Sequence, residues 1–264
     1  MKLTASAAAI VLACAITPVS AQQSPYADYQ RMTAESAPNE LYESAGEDAW
    51  KKKQGPKNVS LESCDLGQGP GVVRGAYVGL PRYFADADRV MDLETRLAWC
   101  MTALQGRGEA EATKRVFGNA DTPSEIEVLS AYVAGQSHGM PMRPGIDHPK
   151  EKASYELGRE LFYHRAGPWD FSCASCHGEP GKRIRMSELP ALNQAKYTQP
   201  LMATWPAYRV STSSFVTLQW RMNDCYRQMR MPEPKFGSEI PVALIHYMTV
   251  NAQGVVYRGP AIKR

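Results

Sequence analysis

The chain has 264 residues, 22% of them charged, and a formal net charge of +3 at pH 7. Because the charges are spread along the chain, the composition indicates neither a nucleic-acid partner nor a highly charged tail. Beyond the N-terminal region no segment has the uninterrupted apolar length of a membrane helix, so we expect no membrane span.

The first residues predict a secretory signal peptide. Lys2 precedes an apolar run from about Leu3 to Ile16, and small residues follow up to Ala21. This run is too short for a membrane helix and ends in the small residues typical of a signal cleavage site. We therefore expect residues 1–21 to be removed near Ala21 and the mature chain to be exported to the periplasm, where disulfides form.

The first half of the mature chain predicts a small helical unit. Helical apolar spacing occurs over about residues 39–53 and returns after Ser124, a candidate N-cap. Cys64 and Cys100 lie between these helices, and Arg96 stands four residues before Cys100.

A segment rich in glycine and proline, from Gly135 to Pro149, is typical of an interdomain linker. It divides the mature chain into residues 22–140 and residues 141–264, each of ordinary domain size. Both parts show mainly helical patterns, so the predicted fold class is mainly α with two tandem domains.

The second domain contains Cys173-Ala174-Ser175-Cys176-His177, the C-x-x-C-H signature of covalent haem c attachment. On a helical turn, Cys173 and Cys176 can form thioethers to the haem vinyl groups, and His177 can supply an axial nitrogen to the iron. A thioredoxin-like C-x-x-C pair is the alternative, but it requires a βαβ pattern that the flanking sequence does not show.

The two domains follow one plan, which indicates an internal duplication of a cytochrome c-like unit. The run from Ser124 to Tyr132 is echoed by the run from Ser238 to His246. The arginine and cysteine of the segment 96–100 are echoed in the segment 221–225. Where the first domain should carry a haem motif it has Cys64 without a following histidine, so we expect it to bind no haem.

Loss of that haem leaves Cys64 and Cys100 as the natural disulfide pair in an exported protein. Such a bond would contribute about 4 kcal/mol by loop-closure entropy, in place of a haem as the covalent link that holds the domain. Two free buried thiols are the alternative.

The second axial ligand of the haem separates an electron carrier from an enzyme. Met231, shortly before the last helix, is the ordinary methionine candidate. Cys225 competes with it, because it has no assigned disulfide partner and lies among arginines that include Arg221 and Arg230. Positive charge favours the thiolate, which is a nucleophile and a soft iron ligand. Arginine also suits a small dianionic sulfur oxyanion.

These residues together resemble the SoxA family, the cytochrome subunit of the L-cysteine S-thiosulfotransferase of bacterial thiosulfate oxidation. The most specific parts of the resemblance are the haem motif and Arg221-Met222-Asn223-Asp224-Cys225-Tyr226-Arg227-Gln228-Met229-Arg230. The resemblance implies one covalent haem c with His177 and Cys225 as axial ligands. It also implies a persulfide on Cys225 and substrate contacts from Arg221, to which we add Arg230.

Some members of the family bind a second haem in the first domain, and this chain departs from that pattern around Ser63 to Leu66. In this respect it resembles the single-haem subgroup, in which a disulfide replaces the first haem. The resemblance further implies that thiosulfate is oxidatively joined to a cysteine of the carrier SoxYZ. Electrons would pass to a SoxX-like cytochrome that forms a heterodimer with this chain. The alternative function is a non-enzymatic electron-transfer cytochrome with His177 and Met231 as ligands.

Overall fold

A computed structural model describes residues 38–113, 123–184 and 187–263, and the predicted signal peptide lies outside these residues. The described chain is mainly helical, as predicted. The helices are α1 (Pro38–Lys51), α2 (Leu93–Ala103), α3 (Glu109–Ala112), α4 (Glu125–Gly135), α5 (Pro149–Tyr163), α6 (Cys173–His177), α7 (Ala195–Met202), α8 (Leu218–Gln228) and α9 (Glu239–Asn251). Among the described residues no helix is both long and apolar enough to span a bilayer.

Short strands join these helices. They are β1 (Arg82–Phe84), β2 (Arg89–Met91), β3 (Arg183–Ile184), β4 (Ser187–Glu188), β5 (Ala207–Arg209), β6 (Ser214–Val216) and β7 (Ala261–Lys263). Strands β1 and β2 form one antiparallel hairpin, and β3 and β4 form another. In the third sheet β5 lies in the middle, antiparallel to β6 and parallel to β7.

In each half of the chain the first helix packs across the last, α1 on α4 and α5 on α9. A glycine lies at each crossing. A Cβ atom on Gly46 would collide with the backbone of α4 and with Tyr132, and one on Gly158 would collide with the backbone of α9 and with Tyr247. Only glycine allows backbones to approach this closely.

The glycine contacts correct the predicted alignment of the two halves. Tyr132 and Tyr247 occupy the same place at the two crossings, so the predicted match of Tyr132 with His246 is wrong by one residue. The two helices are aligned by the side chain that faces the crossing glycine. Counting from the serine N-cap gives the wrong residue. His246 is instead fully buried, and its Nε2–H donates to the Gly145 carbonyl oxygen at 2.6 Å.

Each half also contains a hairpin followed by an 11-residue helix, β1–β2–α2 and β5–β6–α8. The two units have the same spacing, because Arg82 to Ala207 and Leu93 to Leu218 are each separated by 125 residues. In both helices the fourth residue is an arginine and the eighth is a cysteine. In this alignment of the two units, Arg96 is equivalent to Arg221 and Cys100 is equivalent to Cys225.

One hydrophobic core runs through both halves, with members such as Trp50 and Leu129 from the first and Phe162 and Tyr247 from the second. Polar side chains also cross between the halves. The Tyr77 hydroxyl donates to the Trp205 carbonyl oxygen at 2.7 Å. The two hairpin–helix units are therefore held in fixed positions relative to each other.

Candidate functional site

Helix α6 is a single turn that consists of the C-x-x-C-H residues themselves. A capping box starts it: the backbone N–H of Ser175 donates to the Ser172 hydroxyl at 3.2 Å, and the backbone N–H of Ser172 donates to the Ser175 hydroxyl at 2.9 Å. Residues three apart lie on one side of a helical turn, so Cys173 and Cys176 present their free thiols together. This is the arrangement that attachment to two vinyl groups requires.

The imidazole of His177 is oriented by the backbone. Its Nδ1 lies 2.8 Å from the Pro190 carbonyl oxygen. Because a carbonyl only accepts, the proton lies on Nδ1 and Nε2 keeps its lone pair, the state in which histidine binds a metal. Burial lowers the pKa of His177 and the charge of Arg221 lowers it further, against the effect of the Pro190 hydrogen bond. The ring is therefore neutral and has one nitrogen available.

Helix α8 brings Cys225 to the haem motif. The half-buried Cys225 interacts electrostatically with both Cys173 and Cys176. Cys225 and the C-x-x-C-H turn, some fifty residues apart in sequence, are thus neighbours in space.

Burial raises the pKa of the Cys225 thiol, and the opposing effect of Arg221 is smaller. Arg221 and Arg209 both lower this pKa, as predicted, but the net shift of the free thiol is upwards. The physical reason is that the loss of solvent outweighs the neighbouring positive charges. A bound metal ion would reverse this balance, because a coordinating thiol is deprotonated.

Arg221 lies one helical turn before Cys225, on the same side of α8. Its guanidinium donates to the Asp224 carboxylate, which also lies 3.6 Å from Arg227. The carboxylate therefore fixes Arg221 beside the sulfur. Asp224 lies within the motif that carries the family resemblance, but no role was predicted for it from the sequence.

Arg209, in strand β5, was missed entirely. It interacts electrostatically with Arg221, Asp224 and Cys225. Burial and the charge of Arg221 lower the pKa of its guanidinium. Arg209 is 16 residues from Cys225 in sequence, and no motif connects the two. Recognition of the repeated hairpin would have been the signal, because the hairpin carries Arg209 and ends directly before α8.

Two other predicted residues lie next to α8 but outside this charged group. Arg230 has a left-handed backbone with φ of 58°, and its guanidinium lies 5.8 Å from the ring centre of the exposed Trp169. Met231 is partly buried and packs against the core. A substrate contact by Arg230 and iron ligation by Met231 both remain predictions.

In the first half, Cys64 and Cys100 are joined by a disulfide, with Cα atoms 5.8 Å apart and both residues buried. The counterpart of Arg221 in this half is Arg96, which is 1% exposed. Its guanidinium binds both carboxylate oxygens of Asp86 at 2.7 and 2.8 Å. Its Nε–H donates to the Asp65 carbonyl oxygen at 2.7 Å.

Two aromatic rings enclose the same guanidinium. The centre of the Phe84 ring lies 4.0 Å from it and the centre of the Trp99 ring lies 4.3 Å from it. Arg96 is thus a buried structural residue, whereas Arg221 in the equivalent place is partly exposed beside a free cysteine.

A mainly helical fold around a C-x-x-C-H turn with an oriented histidine defines a c-type cytochrome. The profile described as "SoxA/TsdA, cytochrome c domain" matches residues 45–142, which is the half without the haem motif. The L-cysteine S-thiosulfotransferase subunit SoxA of Hydrogenophilus thermoluteolus is 42% identical over the full length of both chains. The subunit of the same name from Hydrogenobacter thermophilus is 38% identical over 84% of this chain and 83% of its own.

The fold is also similar to that of SoxXA from P. pantotrophus in its crystal structure. The TM-score is 0.71 at 27% identity, over 90% of this chain and 84% of the matched chain. The chain belongs to the SoxA family.

Proposed function

We propose that this chain is the catalytic haem subunit of a periplasmic L-cysteine S-thiosulfotransferase, which conjugates thiosulfate oxidatively to a cysteine of the carrier SoxYZ. The observation that carries the proposal is the placement of Cys225 and Arg221 on one side of α8 against the C-x-x-C-H turn. The relatives named L-cysteine S-thiosulfotransferase subunit SoxA support it.

The residues present fit one covalent haem c. Cys173 and Cys176 would hold its vinyl groups, and His177 Nε2 and Cys225 Sγ would bind its iron. When bound, the haem supplies an iron that keeps the Cys225 sulfur ionised and an acceptor for electrons.

In the net reaction a carrier thiol and thiosulfate are joined by a sulfur–sulfur bond, with release of one proton and two electrons. We assign Cys225 as the relay. Its thiolate bonds to the outer sulfur of thiosulfate as two electrons leave, and the carrier thiolate then attacks that sulfur and releases Cys225. Arg221, fixed by Asp224, orients the oxyanion and neutralises its charge, and we assign the same role to Arg230.

A single haem is supported by the first half of the molecule. There the counterpart of Cys225 is used in the disulfide, and the counterpart of Arg221 is enclosed by Asp86, Phe84 and Trp99. The equal spacing of the two hairpin–helix units supports an internal duplication, with domains at residues 22–140 and 141–264.

The similarity to SoxXA supports a heterodimer with a SoxX-like cytochrome, which would take the electrons. Export by a cleaved signal peptide would place the chain in the periplasm with these partners and thiosulfate.

The first test is a conjugation assay with thiosulfate, carrier and partner cytochrome. Cys225→Ser should lower the rate by at least about a hundredfold, because it removes the nucleophile and sulfur relay. Met231→Leu is the matched control and should retain the rate. An equal rate in wild type and Cys225→Ser would remove Cys225 from the mechanism.

Low-spin EPR of the same proteins separates the enzyme from the plain electron carrier. A His/Met signal that survives Cys225→Ser but disappears in Met231→Leu would support the carrier function instead. Haem content is measured on the same samples, and two haems per chain would contradict the single-haem proposal.

A further inference from the structure

The most informative contrast within the molecule is between the surroundings of two equivalent arginines. With the spacing of 125 residues, the residue equivalent to Phe84 in the second half is Arg209. In the same way Asp86 is equivalent to Ser211, and Trp99 is equivalent to Asp224. In the first half these positions surround Arg96 with two rings and a carboxylate. In the second half these positions hold a guanidinium, a hydroxyl and a carboxylate, of which the Arg209 guanidinium and the Asp224 carboxylate interact with Arg221.

The first half also shows what a side chain on the last residue of the hairpin's first strand can contact. The Phe84 ring, at the end of β1, lies directly over the guanidinium of the fourth residue of the following helix. Strand β5 ends with Arg209, and it pairs with β6 in the same register as β1 with β2. Arg209 therefore extends towards Arg221 and Cys225, in agreement with its electrostatic interaction with both.

We propose that Arg209 is a further substrate-binding arginine, which forms with Arg221 a paired guanidinium site beside Cys225 for the sulfonate oxygens of thiosulfate. This inference rests on the proposed function. Besides the Cys176 thiol, the groups that act on Cys225 include two arginines, Arg221 and Arg209, and one carboxylate, Asp224, so in this set the arginines outnumber the carboxylate. Two guanidinium groups held close to each other repel, and a dianion between them relieves that repulsion.

The position of Arg209 suits this role. It is half-buried at the end of a three-residue strand, and pairing with strands on both sides fixes its backbone. Arg221 lies on the helix and Arg209 on the sheet, so they approach the sulfur from different elements. The sulfonate group would be held from two directions with its outer sulfur towards Cys225.

The test is calorimetric titration of thiosulfate into Cys225→Ser protein carrying haem, a background in which the relay chemistry is blocked. Adding Arg209→Gln should raise the Kd by about tenfold to a hundredfold, the effect of losing one charge-assisted hydrogen-bonding partner. Arg209→Lys should recover part of the affinity. Arg209→Phe, which recreates the residue of the first half, should bind as weakly as Arg209→Gln.

Arg159→Gln is the matched control, because it removes one positive charge from an exposed ion pair on α5 and should leave the Kd unchanged. In the Cys225 enzyme, Arg209→Gln should raise KM more than it lowers kcat, with an unaltered haem spectrum. An unchanged Kd and KM would overturn the role of Arg209 while leaving the proposed function intact. Failure of the parent protein to bind thiosulfate would overturn both.

Discussion

At the scale of residues, the same arginine position in two similar units has two different uses. Arg96 is enclosed by aromatic rings and satisfied by hydrogen bonds, whereas Arg221 remains accessible beside a thiol. The sequence revealed the repeated arginine–cysteine spacing, since four residues separate both pairs. It did not reveal burial, which reverses the expected pKa shift of Cys225, because desolvation depends on contacts far apart in the chain.

The buried guanidinium leads to a prediction about stability. Asp86→Asn should lower the free energy of unfolding by about 2–3 kcal/mol, because it leaves the charge of Arg96 buried without a counterion. The cost is set at the lower end of the usual range because Asp86 itself is half exposed. Urea unfolding of the haem-loaded protein measures it.

Asp88 provides a control two residues away. It pairs with Lys150 at 2.7 Å, but both side chains are exposed. Asp88→Asn should therefore cost less than about 1 kcal/mol. Equal losses for the two variants would show that the Asp86–Arg96 pair is no more important than a surface ion pair.

At the scale of elements, the long helices were predictable and the short strands were not. The helix expected over residues 39–53 lies within two residues of both ends of α1, and the helix expected after Ser124 is α4, which begins at Glu125. Strands β1, β2, β5 and β6 have three residues each, too few for an alternating pattern to be recognised. Because these hairpins position Arg209, missing them also meant missing part of the site.

The two serine N-caps differ in a way that the sequence could not show. Ser124 takes part in a capping box with Glu127, whereas the hydroxyl of Ser238 makes no cap hydrogen bond. Ser124→Ala should therefore cost about 1 kcal/mol and Ser238→Ala close to nothing. Thermal unfolding of the two variants checks this, and a larger loss at Ser238 would contradict the assignment.

At the scale of the whole molecule, the halves are packed into each other. Tyr42 of α1 stacks on Phe215 of β6, with ring centres 5.4 Å apart. The Gln219 side chain, from α8, donates to the Asp92 carboxylate at 2.7 Å and to the Thr95 hydroxyl at 3.0 Å. A linker between two domains was predicted from composition, but the extent of this contact was not, because it depends on pairs more than a hundred residues apart.

Because the halves share this packing, we expect a substitution that destabilises the first half to destabilise the second half as well. Replacing both Cys64 and Cys100 with serine should lower the free energy of unfolding by about 4 kcal/mol, the loop-closure contribution of a bridge spanning 36 residues. Hydrogen exchange should show loss of protection in α4 and in α9 together, because one core connects them. Loss confined to α1 and α4 would show that the halves unfold separately. The Asp88→Asn protein serves as the control, since its exposed ion pair should leave exchange in both helices unchanged.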